Sequence, residues 1–315
     1  MSIPVKFDFK EDLRRYILSQ LDETYLNNKL NIYPKTNQLT ELQAQNIDNL
    51  LWVYINWRNR LILGRKRKVS LSKDIYKNPF YSQYNTNIQK LKRIFESGSN
   101  VRPFLSTGVN HLLGNKSDDG LLRDWGLHHI HFIPAYTPKK RTNEILFIME
   151  RPNNIYFIDI FEHDDWVKLN SLAIIYRNWP ETIEHFKLNG ITPDILTEEH
   201  FENLRKKDVA YTIGFDGNAY APTLNSNSRM NTIRNADYLL MFLKNFEQNI
   251  LNDIENIKQQ VESKTNTIIM EFYLELIFYQ KEKKVLVKEK TLDICINFES
   301  YIPDLNQILT NLNIF

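Results

Sequence analysis

The chain has 315 residues, 42% hydrophobic and 12% aromatic, with 9 glycines and 11 prolines: material for two domains, or one large domain with an appendage, and not for a low-complexity protein. One cysteine, Cys295, excludes an internal disulfide framework and a multi-cysteine zinc site. No apolar run approaches the roughly 20 residues of a membrane span, and MSIPVKFDFKEDLRRY lacks signal-peptide features, so a cytoplasmic protein with no membrane partner is expected.

The N-terminal part reads as helical. In KEDLRRYILSQLDETYL, Leu13, Ile17, Leu21 and Leu26 recur near a 3.6-residue period. A longer helix is expected over LTELQAQNIDNLLWVYINWRNRLIL, opening at a capping-type Thr40, with Leu42, Ile47, Leu50, Leu51, Tyr54 and Trp57 on its apolar side. GRKRKVSLSKDI breaks that pattern at Gly64 and reads as a loop leading to a new start at Ser72. NTNIQKLKRIFESGSN is a short helix stopped by SGSN.

From about Val101 the pattern changes. A polar approach, NHLLGNKSDDGLLRDWG, precedes three strand candidates: LHHIHFIP, NEILFIMER and NIYFIDIFEH. The turn signal RPNN joins the second and third into a hairpin, and the third, apolar on both faces, is expected to be central. VKLNSLAIIYRNW is a helix; Pro180 opens the next, closed by Asn189–Gly190, and Thr197 caps TEEHFENLRKKD. VAYTIGFDGNAYAP reads as a hairpin around Asp216–Gly217. A helix of about 35 residues follows, then two strong strands, NTIIMEFYLELIFYQ and KVLVKEKTLDICINF, and a short C-terminal helix. Cys295 alternates with Ile294 and Ile296 and reads as packing. The whole is α+β, in three consecutive segments: a helical basic region over 1–100, a central unit over 101–225 built on an antiparallel or mixed sheet, and a long helix plus β-hairpin over 226–315.

Net charge is only +2, but between Trp57 and Arg102 twelve basic residues face only Asp74 and Glu96. Arg58, Arg60, Arg65, Lys66, Arg67 and Lys68 are the densest part. They form a candidate nucleic-acid contact, since each phosphate neutralised releases counterions; a solvated loop or an acidic partner explains them equally well.

RDWGLHHIHF carries three of the seven histidines. Strand alternation sets His128 with Ile130 and Phe132, and His129 with His131 on the opposite, accessible face. Asp159 and His163 share a face of the third strand, and Arg141 flanks the middle one. Imidazoles decorating a half-exposed sheet are one reading. A second is a metal site, with His129, His131, His163 and Asp164 or Asp165 as ligands. A third is acid–base chemistry on RNA without metal or other cofactor: one histidine takes the 2′-hydroxyl proton, another protonates the leaving oxygen, and arginine stabilises the phosphate charge.

The run DWGLHHIHF, a polar loop, then RTNEILFIMERPNNIYFIDIFEHDDW resembles the antiparallel sheet of RelE-like ribonuclease toxins over about residues 124–166. The chain departs from that family in ending the sheet with acidic Glu162, Asp164 and Asp165. The resemblance implies a metal-free RNA endonuclease in which His129, His131, Arg141 and His163 are the reagents. The expectation is therefore an RNA-cleaving toxin-like or phage-defence effector, with RNA and an inhibitory protein among its partners and a homo-oligomer allowed. A non-catalytic nucleic-acid or protein-binding module is the alternative, and a metal-dependent hydrolase the third. Dinucleotide, P-loop and G-x-S-x-G fingerprints are absent.

Overall fold

The computed structural model describes residues 3–22, 36–113, 120–135, 141–163, 170–193, 197–207, 209, 211–222, 229–298 and 301–315. The chain is α+β. It begins with β1 (Val5–Lys6), α1 (Phe9–Leu21), α2 (Thr36–Gln43) and α3 (Ile47–Asn59). The single helix expected from residue 39 is thus two. Asn46 separates them, and its side chain accepts the Asn49 N–H as a cap for α3. Next come β2 (Lys68–Leu71), α4 (Tyr81–Ser97), α5 (Gly120–Trp125), β3 (Leu127–His131), β4 (Glu144–Glu150) and β5 (Asn154–Glu162). They are followed by α6 (Asn170–Asn178), β6 (Lys187–Leu188), α7 (Glu198–Lys206), β7 (Ile213–Phe215) and β8 (Asn218–Tyr220). The chain ends in α8 (Arg229–Asn252), α9 (Ile254–Thr265), β9 (Phe272–Tyr279), β10 (Lys284–Glu289), β11 (Ile294–Ile296) and α10 (Ile302–Asn311).

Two compact units result, and they regroup the three consecutive segments read from the sequence. One holds the described residues up to Arg58 together with Thr232–Phe315; the other holds those between Asn59 and Asn231.

In the first unit the sheet order is β1-β9-β10-β11, with β1 parallel to β9 and the rest antiparallel. The expected hairpin is β9–β10. The second expected strand, however, reverses on itself at Asp293 (φ 57°), where Glu289 accepts the Leu292 N–H. That turn makes β11 a sheet edge and leaves Cys295 exposed, not packed. The long helix breaks at Asp253, between α8 and α9. Arg58 lies here too: its guanidinium donates to the carbonyls of Asn313 (2.7 Å) and Phe315 (3.1 Å).

In the second unit the main sheet has the order β2-β5-β4-β3. Antiparallel β4 and β5 form the hairpin expected around RPNN, and β3 adds antiparallel to β4 with His129 opposite Phe147 and His131 opposite Ile145. The third strand candidate is interior because β2 pairs parallel to its other edge, Val69 opposite Ile155. The segment read as a loop therefore contains a strand. Four residues beside a run of charge carry no legible period, and only the parallel partner selects the extended form. Ser72 does act as a start signal: its hydroxyl accepts the Ile75 N–H of a short 3-10 turn and donates to Ile158 O.

Both faces of this sheet are covered. On one, Ile130, Phe132, Leu146, Ile148, Ile155 and Phe157 pack with Tyr84, Ile88, Leu91 and Phe95 of α4. On the other, Leu127, Ile145, Phe147, Met149, Ile158 and Phe161 pack with Trp125, Leu172, Ile175 and Phe186. Trp125 thus lies at the end of a short helix and inside a core, with Gly126 (φ 70°) making the left-handed exit into β3. Gly98, the stop signal after α4, is left-handed too (φ 74°), and a Cβ there would stand 2.7 Å from the Lys66 backbone nitrogen. Glycine lets the basic segment lie against the end of α4, where Arg67 N–H donates to Phe95 O.

A small sheet, β6-β8-β7, follows. Its hairpin turns at Asp216 (φ 47°) and Gly217 (φ 75°), two successive left-handed residues as the Asp–Gly pair implies. The helix expected from Pro180 is instead a pair of 3-10 turns leading into β6, because Lys187–Leu188 is claimed by β8. Thr197 caps α7 through the His200 N–H. Among the described residues no helix is long and apolar enough to cross a membrane.

Candidate functional site

Alternation along β3 places Leu127, His129 and His131 on one face of the main sheet, and the register carries that face across β4 to Phe161 of β5. His163, two residues beyond Phe161 in a turn at the strand end, returns to the same face. The rings meet: centroids are 5.9 Å apart for His129–His131, 5.9 Å for His129–His163 and 5.8 Å for His131–His163. Each ring offers a nitrogen, and these three nitrogens all lie within 4.8 Å of one another. In a tetrahedral zinc site with bonds of about 2.0–2.1 Å the nitrogens would stand roughly 3.4 Å apart, so a small inward rotation closes the set. His163, exposed at the strand end, is the ring with room for it.

The three rings differ in burial. His131 is 5% exposed, His129 half-buried and His163 exposed. The face expected to be accessible is therefore largely covered, because a second apolar layer packs on it. His131 Nδ1 is a buried polar atom with no hydrogen-bond partner. Burial first, then the charge of Arg141 and the neighbouring imidazoles, pushes the His131 pKa down to about 3. At neutral pH this ring is uncharged, with its lone pair available to a ligand.

Arg141 joins the cluster from the segment before β4. Its Nη2 donates to Pro103 O (3.2 Å) and Leu105 O (3.1 Å), and Leu105 bridges to Ile130, between the two strand histidines. This anchoring by two carbonyls left no trace in the sequence. Asp159, on the strand with His163, turns elsewhere: its carboxylate accepts from Asn78 Nδ2 (2.8 Å) and burial raises its pKa. Asp164 and Asp165 lie outside the described residues.

His128, on the opposite face, is buried beside Glu150, Nε2 to Oε2 3.7 Å. Glu150 also forms an ion pair with Arg67, whose Nη1 donates to Leu63 O (2.9 Å). Burial drives both partners toward neutrality, raising the Glu150 pKa and lowering that of Arg67. Glu150 was not among the sequence candidates; an acid ending an otherwise apolar strand was its one signal.

The basic segment divides in the same way. Arg58, Arg60 and Arg67 are buried, and Arg60 donates to the carbonyls of Gly108 (3.0 Å) and His111 (2.8 Å). These three guanidiniums tie down backbone, which corrects their assignment to a nucleic-acid surface: a side chain enclosed and bonded to carbonyls does not meet a phosphate. Only Arg65, Lys66 and Lys68 of the six are exposed. Tyr54 and Trp57 are core residues.

The fold and cluster thus define an α+β protein with a three-imidazole site on a sheet face. No protein-family model, curated protein or solved structure matches the chain.

Proposed function

We propose that the protein is a metal-dependent hydrolase in which His129, His131 and His163 hold one divalent transition-metal ion. The observation that carries this reading is the convergence of three imidazole nitrogens within 4.8 Å, two from β3 and one from the turn after β5. Three neutral nitrogen ligands suit zinc or a similar ion, and leave coordination positions for water and substrate. A metal so held lowers the pKa of bound water toward neutrality and polarises the group under attack, which is the chemistry of hydrolysis. The unpartnered, buried Nδ1 of His131 supports the assignment, since an enclosed polar atom calls for a partner.

The toxin-like reading, RNA cleavage without metal, draws on the same three histidines, on Arg141 and on the consecutive antiparallel strands β3, β4 and β5. It requires proton exchange near neutrality, for which a ring held at about pKa 3 is poorly matched. Of the six residues read as a nucleic-acid contact, the binding-module reading keeps Arg65, Lys66 and Lys68 as exposed.

Elemental analysis of purified protein after zinc loading and desalting tests the proposal. One ion per chain is expected, and His131→Ala and His163→Ala should each lose it while remaining folded. Wild-type protein without stoichiometric metal, or folded variants that keep it, overturns the metal centre.

A further inference from the structure

Resting on the metal centre, we infer that its substrate is an anionic phosphoester, with one phosphoryl oxygen at the metal and another on Arg141. The argument begins with charge. A divalent ion on three neutral imidazoles keeps both its positive charges, and Arg141 adds a third in the same neighbourhood. Arg141 is also fixed there. The carbonyls of Pro103 and Leu105 hold Nη2, and the bridge from Leu105 to Ile130 ties that anchor to the strand bearing His129 and His131.

Among the described residues no carboxylate pairs with Arg141, although the side chain is half-buried. A partly desolvated guanidinium beside a metal position, with no carboxylate partner among the described residues, is stabilised by an anion that bridges the two. With Nη2 held by the two carbonyls, the Nε–H and Nη1–H donors remain, and either can take one oxygen of a tetrahedral oxyanion.

Hydrolysis narrows the class. A bound carboxylate would neutralise the charge but is not itself open to hydrolysis. A carboxylic ester or amide is hydrolysed, yet the group attacked is itself uncharged. A phosphoester supplies the anion on the very group that is attacked, and its transition state keeps that charge on the phosphoryl oxygens. The water oxygen forms a new bond to phosphorus, the bond from phosphorus to the leaving oxygen breaks, and that oxygen keeps the electron pair and gains a proton. For a phosphodiester the net reaction is diester plus water to phosphomonoester and alcohol, the proton on the leaving oxygen coming from the water, with no change of oxidation state.

Zinc- or cobalt-loaded protein should hydrolyse bis(p-nitrophenyl) phosphate in preference to p-nitrophenyl acetate and p-nitrophenyl sulfate, and inorganic phosphate should shift the visible spectrum of the cobalt form. Arg141→Gln should retain one metal per chain, lose the phosphate-induced shift and lower kcat/KM for the phosphodiester by about 100-fold. Arg141→Lys should recover only part of this, since a compact ammonium keeps the charge but not the planar guanidinium that reaches both the carbonyl anchor and the phosphoryl oxygen. Metal-loaded Arg141→Gln that binds phosphate and turns over the diester like wild type overturns the substrate assignment and leaves the metal centre standing. So does preference for the acetate or sulfate ester. Absence of bound metal in wild type overturns both.

Discussion

The His131 and His163 rings stand 5.8 Å apart although His131 ends β3 and His163 follows the last residue of β5, and β4 separates the two strands. Strands two positions apart lie about 9.6 Å from one another, so both side chains must lean across the intervening strand. Between them β4 presents Ile145 and Phe147, apolar residues buried in the core layer on that face. A ligand bound between these rings would link strands that the hydrogen-bond ladder joins only indirectly.

That linkage predicts metal-dependent stability. An ion that binds only the folded state stabilises it by about 2.7 kcal/mol at one hundred times its dissociation constant. Thermal melts with zinc and with EDTA should therefore diverge for wild type and coincide for His131→Ala and His163→Ala. Equal melting of wild type in both buffers counts against the site.

His131 should also shape acid stability. Its ordinary pKa of 6.5 falls to about 3 in the folded protein, so between these values the unfolded chain takes up a proton that the folded chain refuses. The residue's contribution is intact above pH 6.5, declines as pH falls through that window and levels off near 3. The full decline amounts to a few kcal/mol. In urea titrations with EDTA, His131→Asn should lose less stability than wild type between pH 6.5 and 4; parallel curves refute the prediction.

The Arg67–Glu150 pair gives a prediction on the other face of the sheet. Removing one partner strands the other charge, so Glu150→Ala should cost about 3 kcal/mol in denaturant unfolding. Replacing both, Arg67→Met with Glu150→Leu, should recover part of that loss, because burial disfavours the charged form of each. A double variant no more stable than Glu150→Ala alone contradicts this account.

The basic residues should separate into two behaviours. Neutralising the exposed Arg65, Lys66 and Lys68 should change stability by no more than about 0.5 kcal/mol. Arg60→Gln, which abandons the carbonyls of Gly108 and His111, should cost at least about 1–3 kcal/mol, the penalty for buried acceptors left unsatisfied. If wild type instead neither holds metal nor hydrolyses the diester, and the triple variant abolishes its nucleic-acid binding, the binding-module reading gains the ground that the metal centre loses.

Local pattern and tertiary context divide this protein cleanly. Alternation in LHHIHF, the RPNN and Asp216–Gly217 turns, the start at Ser72, the cap at Thr197 and the α+β class were legible because each depends on residues within a few positions of one another. Alternation also placed His129 and His131 on one face and His128 on the other. The existence of β2 was not legible, since its four residues become a strand only by pairing with β5. Nor was the covering of both sheet faces, which turned an expected open surface into a semi-enclosed site and lowered the His131 pKa. The buried uses of Arg58, Arg60 and Arg67 and the anchoring of Arg141 depend on carbonyls far along the chain. By itself the sequence determined which residues share a face; only the tertiary structure decided which faces meet, because that depends on long-range pairing and burial that no local period encodes.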